Sequence, residues 1–224
     1  MIKRAFLPLL LLTSGLASAA ELTDMEIRWL QAGSAVLAYA KQELKLPLDI
    51  TVQPQAGPND VPLALGYQNG RCKLVLSMRG NANAEDILST VPAAQRPLMI
   101  EAMVAHEIGH CWRYTQGIWH MMPSGFVESQ PQPDSGAAEA LRDTRREEGY
   151  ADLVALAWTQ QRHPADYAAV AAWIRAVRQP SLATGSHSTL AWLEQAPTGA
   201  AFAPGVAVFE QASQLWRQGL LLDR

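Results

Sequence analysis

The chain has 224 residues, of which 49% are hydrophobic, and it carries 18 basic against 21 acidic side chains. This length and composition suffice for one sizeable hydrophobic core. The formal net charge of −3 disfavours nucleic acid and anionic membrane surfaces as partners.

The start of the chain has the order of a secretory signal peptide. Basic residues come first, an apolar run covers residues 5–12, and small residues at 17–20 provide a cleavage site. The apolar run is shorter than the roughly 20 residues that a membrane span needs, and no later stretch comes close. We therefore expect residues 1–20 to be a cleaved signal peptide, and residues 21–224 to be a periplasmic or secreted protein without a membrane span.

The first half of the mature chain predicts one helix followed by three strands. Thr23 and Glu26 form a capping box ahead of a helical apolar pattern that ends at Pro47. Asn69-Gly70 between two apolar runs is a strong signal for a hairpin joining the second and third strands. The predicted strands and the short helix after them cover residues 48–52, 62–67, 73–78 and 84–90.

A long helix is predicted to follow, and it carries the sequence HEIGH. Because one helical turn separates His106 from His110, both imidazoles project from one face and can bind one zinc ion, Zn2+, at about 2.0–2.1 Å. Glu107 lies beside that face, where a carboxylate suits a general base acting on water at the metal. The alternative is a pair of solvated histidines. It is disfavoured because the helix is largely apolar and Gly109 leaves space beside the ligands.

Cys72 and Cys111 are the two cysteines of the chain. An exported protein meets an oxidising compartment, which favours a disulfide between them over two buried thiols. Metal binding by Cys111 is not expected, because one residue beyond His110 it is rotated by about 100° from the histidine face.

A stretch broken by glycine and proline, residues 116–135, separates this helix from a second long helix predicted at 136–162. Within the second helix, Glu148 and Asp152 lie four residues apart and therefore share one face. Glu148 is the candidate third metal ligand, and Asp152 is the candidate acceptor of a hydrogen bond from a ligand histidine. Glu147 is the chief competitor, but it has no carboxylate four residues later. The alternative for this charged run is a solvated helix face with ion pairs.

The remainder of the chain predicts helices at 164–178, 188–194 and 206–222. His187, in a loop ahead of one of them, is a candidate hydrogen-bond donor to the oxyanion of a hydrolytic reaction, against an ordinary solvated loop histidine. Tyr150 and Tyr167 are lesser candidates, with core packing as their default role. The residues expected at the surface or at a helix entry are His120 and His163, and those expected in the core are Trp112, Trp158 and Trp173.

The HExxH pattern followed by Glu148-x-x-Ala151-Asp152 resembles the gluzincin zinc metallopeptidases, and it is most similar to the HtpX-like peptidases and their soluble periplasmic relatives. The resemblance implies a zincin-like fold, in which a small mixed sheet packs on the active-site helix. It also implies an edge strand that aligns an extended substrate, and by position this would be residues 73–78. A histidine or tyrosine downstream of the glutamate ligand is implied as the oxyanion donor, and His187 fits that position.

The strands cluster early and the helices late, which predicts an α+β fold with a mostly helical C-terminal part. We expect one domain, with an α/β lobe over 21–92 and a helical lobe over 93–224. The expected function is an exported zinc-dependent peptide hydrolase, endopeptidase-like, that acts on a peptide or protein substrate. The alternatives are a zinc-stabilised binding or scaffold protein with a partner in the cell envelope, and a zinc amidase acting on cell-wall peptides.

Overall fold

The computed structural model describes residues 21–55, 57, 60–127, 136–179 and 185–223. The predicted signal peptide and residues 128–135 of the irregular stretch lie outside this part of the chain. None of the helices described combines the length and the apolar character needed to cross a membrane.

The described residues form an α+β fold, as predicted, with strands early and helices late in the chain. The helices are α1 (Asp24–Ala32), α2 (Ser34–Ala38), α3 (Arg96–Thr115), α4 (Gly136–Arg162), α5 (Tyr167–Arg178), α6 (Leu190–Leu193) and α7 (Val208–Leu220). The strands are β1 (Leu48–Pro54), β2 (Leu63–Gln68) and β3 (Arg71–Arg79).

The N-terminal helix is shorter than predicted, because α1 ends before Gly33. The chain then continues through α2 into a π-helical turn at Tyr39–Glu43. A Cβ atom on Gly33 would lie 2.7 Å from Cγ2 of Val104, so glycine permits the close approach of this segment to α3. The helix predicted at 84–90 is only a short 3-10 turn at Asp86–Leu88.

Helix α1 begins with the predicted capping box. The Glu26 amide donates to the Thr23 hydroxyl at 3.3 Å, and the Thr23 amide donates to the Glu26 carboxylate at 2.7 Å. The same buried carboxylate accepts a hydrogen bond from Arg79 of β3 at 2.9 Å. Burial raises the pKa of Glu26, but the hydrogen bonds from Arg79 and Thr23 outweigh burial and hold the pKa below its usual range. An ion pair thus anchors α1 to the sheet.

The three strands form one mixed sheet in the order β1-β3-β2, with β1 parallel and β2 antiparallel to β3. The predicted hairpin is confirmed: Asn69 and Gly70 have φ angles of 53° and 75°, as a two-residue turn between twisted strands requires. The prediction that residues 73–78 form an edge strand is wrong. They lie in β3, which is the central strand. It pairs with β2 on one side and with β1 on the other. One free edge of the sheet is therefore β2.

Glycines allow α4 to pack closely against α3 and α6. A Cβ atom on Gly109 would lie 3.1 Å from Cα of Ala151, and one on Gly149 would lie 2.3 Å from the ring of Trp192. Gly109 therefore permits the close contact between the helices. The prediction that it leaves open space beside the histidines is wrong. The predicted disulfide between Cys72 and Cys111 is present and joins β3 to α3.

The aromatic side chains expected in the core are mostly there. Trp158 is buried, and Tyr150 and Tyr167 are buried with their hydroxyls donating to backbone carbonyls. Trp112 is half-buried and stacks on Phe209. Trp173 is also half-buried and packs against the core, and it lines a cleft as well.

Candidate metal centre

Three side chains from α3 and α4 converge at the bottom of a cleft. Nε2 of His106 lies 3.1 Å from Nε2 of His110. The first nitrogen lies 3.3 Å from Oε2 of Glu148, and the second lies 3.3 Å from Oε1 of the same carboxylate. The two imidazole nitrogens and the Glu148 carboxylate, called here the donor triangle, could bind a metal ion. Within the described residues, no second group of histidine, cysteine or acidic side chains is arranged in this way.

The size of the donor triangle fits a small divalent ion. A tetrahedral ion with ligand bonds of about 2.0–2.1 Å holds its ligand atoms about 3.3 Å apart. The two nitrogens lie 3.1 Å apart, and each lies 3.3 Å from a different oxygen of the Glu148 carboxylate. These distances are compatible with one ion held by both imidazoles and the carboxylate.

Asp152 connects the donor triangle to two further side chains. Its carboxylate lies 2.9 Å from Nδ1 of His106, and it accepts hydrogen bonds from Arg178 at 2.6 and 2.9 Å and from the Thr189 hydroxyl at 2.6 Å. The Arg178 guanidinium also lies 3.3 Å from Glu148. Sequence reasoning missed Arg178 and Thr189, because they stand at the end of α5 and just before α6, outside any motif.

The charges of this cluster shift the pKa values of its members. Burial lowers the pKa of His106, but hydrogen bonds to Asp152 and Glu148 outweigh burial and raise the pKa to about 10. Burial raises the pKa of Glu148, yet the two histidines hold it well below its ordinary value. The pKa of Asp152 is lowered against burial by the charge of Arg178 and the hydrogen bond with His106. Both carboxylates are therefore ionised at neutral pH.

Glu107 and His187 lie at the cleft without belonging to the donor triangle. Glu107 lines the cleft, and burial raises the pKa of its carboxyl, which suits a group that exchanges a proton near neutral pH. Nε2 of His187 lies 3.3 Å from the Glu148 carboxylate, and its side chain is 49% exposed. Burial lowers the pKa of His187. The structure thus places His187 at the mouth of the cleft.

Glu147, the competitor for the ligand role, pairs with Arg113 instead of the histidines. Its carboxylate is 1% exposed, and Oε1 accepts a hydrogen bond from Nη2 of Arg113 at 2.8 Å. It also accepts a bond from the backbone amide of His120 at 2.7 Å. Glu147 therefore holds α3 and α4 together.

A cleft of about 510 Å³ surrounds the donor triangle. Tyr114 and Trp119 line it beside His110 and stack on each other at 3.8 Å between ring centroids. Other lining residues are apolar and come from β2, α3 and α5: Leu63, Leu65, Met103, Trp173, Ile174 and Val177.

Strand β2 borders this cleft with its unpaired edge. Gln68 and Arg71 close the hairpin, so Leu63, Leu65 and Tyr67 direct their backbone groups away from β3. Among the residues that the structure describes, these outward groups have no backbone hydrogen-bond partner. Leu63 and Leu65, which line the cleft, therefore offer free backbone donors and acceptors along one side of it.

The remaining histidines lie away from the donor triangle. His120 is exposed and has a φ angle of 59°. His163 precedes the 3-10 turn that leads into α5, and it pairs with Glu101 at 3.1 Å. Both positions agree with a surface role or a helix entry.

Comparison with known proteins finds no family model, no curated protein and no solved structure that matches this chain. The interpretation of the site therefore depends on its own geometry and chemistry.

Proposed function

We propose that this protein is an exported zinc-dependent peptide hydrolase of the gluzincin type, with a zincin-like arrangement of sheet and helices. The proposal is carried by the donor triangle, in which the N–N distance of 3.1 Å and the two N–O distances of 3.3 Å are close to the ligand spacing of a tetrahedral ion. Catalytic zinc sites have three protein ligands and one position for solvent, whereas structural sites usually close the fourth position with protein. Only His106, His110 and Glu148 form such a ligand group in the described part of the chain.

The charge of the buried cluster also supports a divalent cation. When both imidazoles are neutral, as metal binding requires, ionised Glu107, Glu148 and Asp152 carry three negative charges, and Arg178 is the cation that contacts two of these carboxylates. Buried charges are normally paired or coordinate a metal. The two negative charges left over equal the charge of Zn2+.

Each side chain then has a chemical role. Bound zinc would lower the pKa of a water molecule and polarise the carbonyl of the substrate. Glu107 accepts the proton of the attacking water and passes it to the leaving amine nitrogen. Asp152 accepts the Nδ1 proton of His106 and so keeps Nε2 available as the donor atom. His187 donates a hydrogen bond to the oxygen that gains negative charge.

The free edge of β2 supports a peptide or protein as the substrate. An extended chain can add to this edge through main-chain hydrogen bonds, with alternate side chains facing the apolar lining of the cleft. A row of backbone donors and acceptors suits several consecutive residues. This favours an endopeptidase over a zinc amidase that recognises a single amide of a cell-wall peptide.

Export is part of the proposal. The signal-like order of residues 1–20 supports it, and so does the disulfide between Cys72 and Cys111, because disulfides persist in oxidising compartments such as the periplasm. A zinc-stabilised scaffold protein would have no use for an acid–base residue such as Glu107 in an open cleft.

The test compares cleavage of a quenched-fluorescence peptide library by wild type, Glu107→Gln and Glu194→Gln. We expect a chelator to abolish wild-type cleavage and added Zn2+ to restore it. Glu107→Gln should still bind one equivalent of zinc but lose about 10²- to 10⁴-fold in turnover, because it cannot accept the proton. Glu194→Gln changes an exposed glutamate and serves as the matched control. Cleavage that survives the chelator, or full activity of Glu107→Gln, would refute the proposal.

A further inference from the structure

The two histidines of the donor triangle are held by different means. Nδ1 of His106 lies 2.9 Å from the Asp152 carboxylate. His110 is only 7% exposed, and its Nδ1 has no hydrogen-bond partner among the described residues. Since Nε2 faces the donor triangle, Nδ1 carries the proton in the metal-binding form. On the side of the ring away from the donor triangle, a hydrogen bond at Nδ1 therefore orients His106 but not His110.

Two rings pack against the ring of His110: that of His106, with centroids 4.7 Å apart, and that of Trp119 from the cleft wall. For Trp119, the two ring centroids lie 5.5 Å apart at an interplanar angle of 74°, a favourable edge-to-face contact. Trp119 itself stacks on Tyr114 at 3.8 Å, and Tyr114 stacks on Tyr67 of β2 at 4.9 Å. A continuous row of stacked rings from the edge strand thus fixes the plane of Trp119.

The backbone on both sides of Trp119 is held by the buried pair of Arg113 and Glu147. Arg113 donates to the carbonyls of Ile118 at 2.9 Å and Met121 at 3.1 Å, while the amide that follows Trp119 donates to Glu147. Arg113 comes one turn after His110, and Glu147 comes directly before Glu148. The pair therefore links both ligand-bearing helices to the turn that carries Trp119.

We propose that Trp119 positions His110, in place of a hydrogen bond like the one that Asp152 accepts from His106, and that the Arg113–Glu147 pair positions Trp119. The inference rests on the proposed function, because it gives His110 a metal to bind. The ring contact holds Nε2 in the direction of the other two donor atoms before the ion arrives. Less conformational freedom is then lost on binding, and the metal affinity rises.

The first test measures zinc affinity by competition with a chromophoric chelator. Trp119→Ala should weaken the affinity about 10- to 100-fold, the range found when a group that orients a ligand is removed. Trp119→Phe should recover most of the loss, because a phenyl ring still offers an edge-to-face contact. Trp173→Ala is the matched control: it removes another half-buried tryptophan of the same cleft, whose ring nitrogen bonds to Ile87 rather than to a histidine. It should retain the wild-type affinity.

The second test uses imidazole 1H–15N spectra of the metal-free protein, so it depends on neither zinc nor turnover. In Trp119→Ala we expect the His110 resonances to broaden or average, while those of His106, held by Asp152, remain unchanged. Trp119→Phe should return the His110 resonances toward wild type. If the His110 resonances of folded Trp119→Ala match wild type, the role of Trp119 is overturned. If wild type binds no zinc, the proposed function fails, and these spectra still decide the role of Trp119.

The role of the ion pair is tested with Arg113→Met combined with Glu147→Leu. This double variant removes both charges and leaves none buried without a partner, a replacement that proteins often tolerate. Because the turn around Trp119 loses its anchors, we expect the same averaging of the His110 resonances as in Trp119→Ala. Wild-type His110 resonances in the folded double variant would overturn the role of the pair. Should it not fold, Glu147→Gln takes its place in the same comparison.

Discussion

Helices α3 and α4 hold two buried groups of charges side by side, and the two groups are balanced differently. In one, the cation of Arg113 meets the anion of Glu147, and backbone groups of the following turn complete their hydrogen bonds. In the other, the carboxylates near the donor triangle contact the Arg178 guanidinium and the two ligand histidines. A one-to-one pair satisfies the fold by itself, whereas the second group contains imidazoles that can exchange a proton for a metal ion. Two adjacent glutamates, Glu147 and Glu148, thereby acquire different roles.

The largest expected effect separates those two glutamates. Glu147→Ala leaves the Arg113 cation buried without its partner, which should cost about 3–5 kcal/mol of unfolding free energy with or without metal. Glu148→Ala should cost the metal-free protein less, because Arg178 and His106 both keep Asp152 as a partner. Urea unfolding of both variants in a chelating buffer measures the difference. Equal losses in the two variants would contradict the distinction between the two groups.

The next effect concerns binding of the proposed zinc ion. A ligand that binds only the folded state, present at 1,000 times its dissociation constant, stabilises that state by about 4 kcal/mol. We expect wild type to show a gain of this order with excess Zn2+, and His110→Ala to lose most of it. Urea unfolding with and without zinc provides the measurement. An undiminished gain in His110→Ala would mean that the ion binds elsewhere.

The smallest effect extends the comparison to another one-to-one pair, Glu26 with Arg79. The folded pKa of Glu26 lies below its ordinary value of 4.5, so the ionised carboxylate stabilises the fold above that pH. This contribution is lost as the pH falls through the folded pKa. Wild type should therefore lose more unfolding free energy in acid than Glu26→Gln, which does not titrate there. The check is urea unfolding of the metal-free proteins as a function of pH, and parallel profiles would contradict the expectation.

Features that depend on near neighbours in sequence could be predicted. The capping box at Thr23, the turn at Asn69-Gly70 and the bounds of α4 all agree with the structure. The preference for Glu148 over Glu147 came from Asp152 four residues later, and in the structure Glu148 is the one that faces the histidines. In each case a helical or turn periodicity carries the information.

Features that depend on distant packing could not be predicted in this way. Residues 73–78 are central because β1 pairs with β3 across the hairpin, and no local pattern specifies that order. Arg178 reaches Asp152 only because α5 ends beside α4. One signal in the sequence indicates that a residue such as Arg178 is needed. Several carboxylates are predicted to lie close together, and such a cluster requires a cation nearby. The sequence does not indicate which arginine supplies it.

The link between Cys72 and Cys111 closes a loop across 39 residues of sequence. In the chain-entropy account, a cross-link of this span lowers the conformational entropy of the unfolded polypeptide. This stabilises the folded state by about 4 kcal/mol at room temperature. Cys111 directly follows His110, so the restriction acts on the segment that carries a donor atom. Zinc affinities measured in buffers containing thiol reductants would therefore describe a different and less constrained polypeptide.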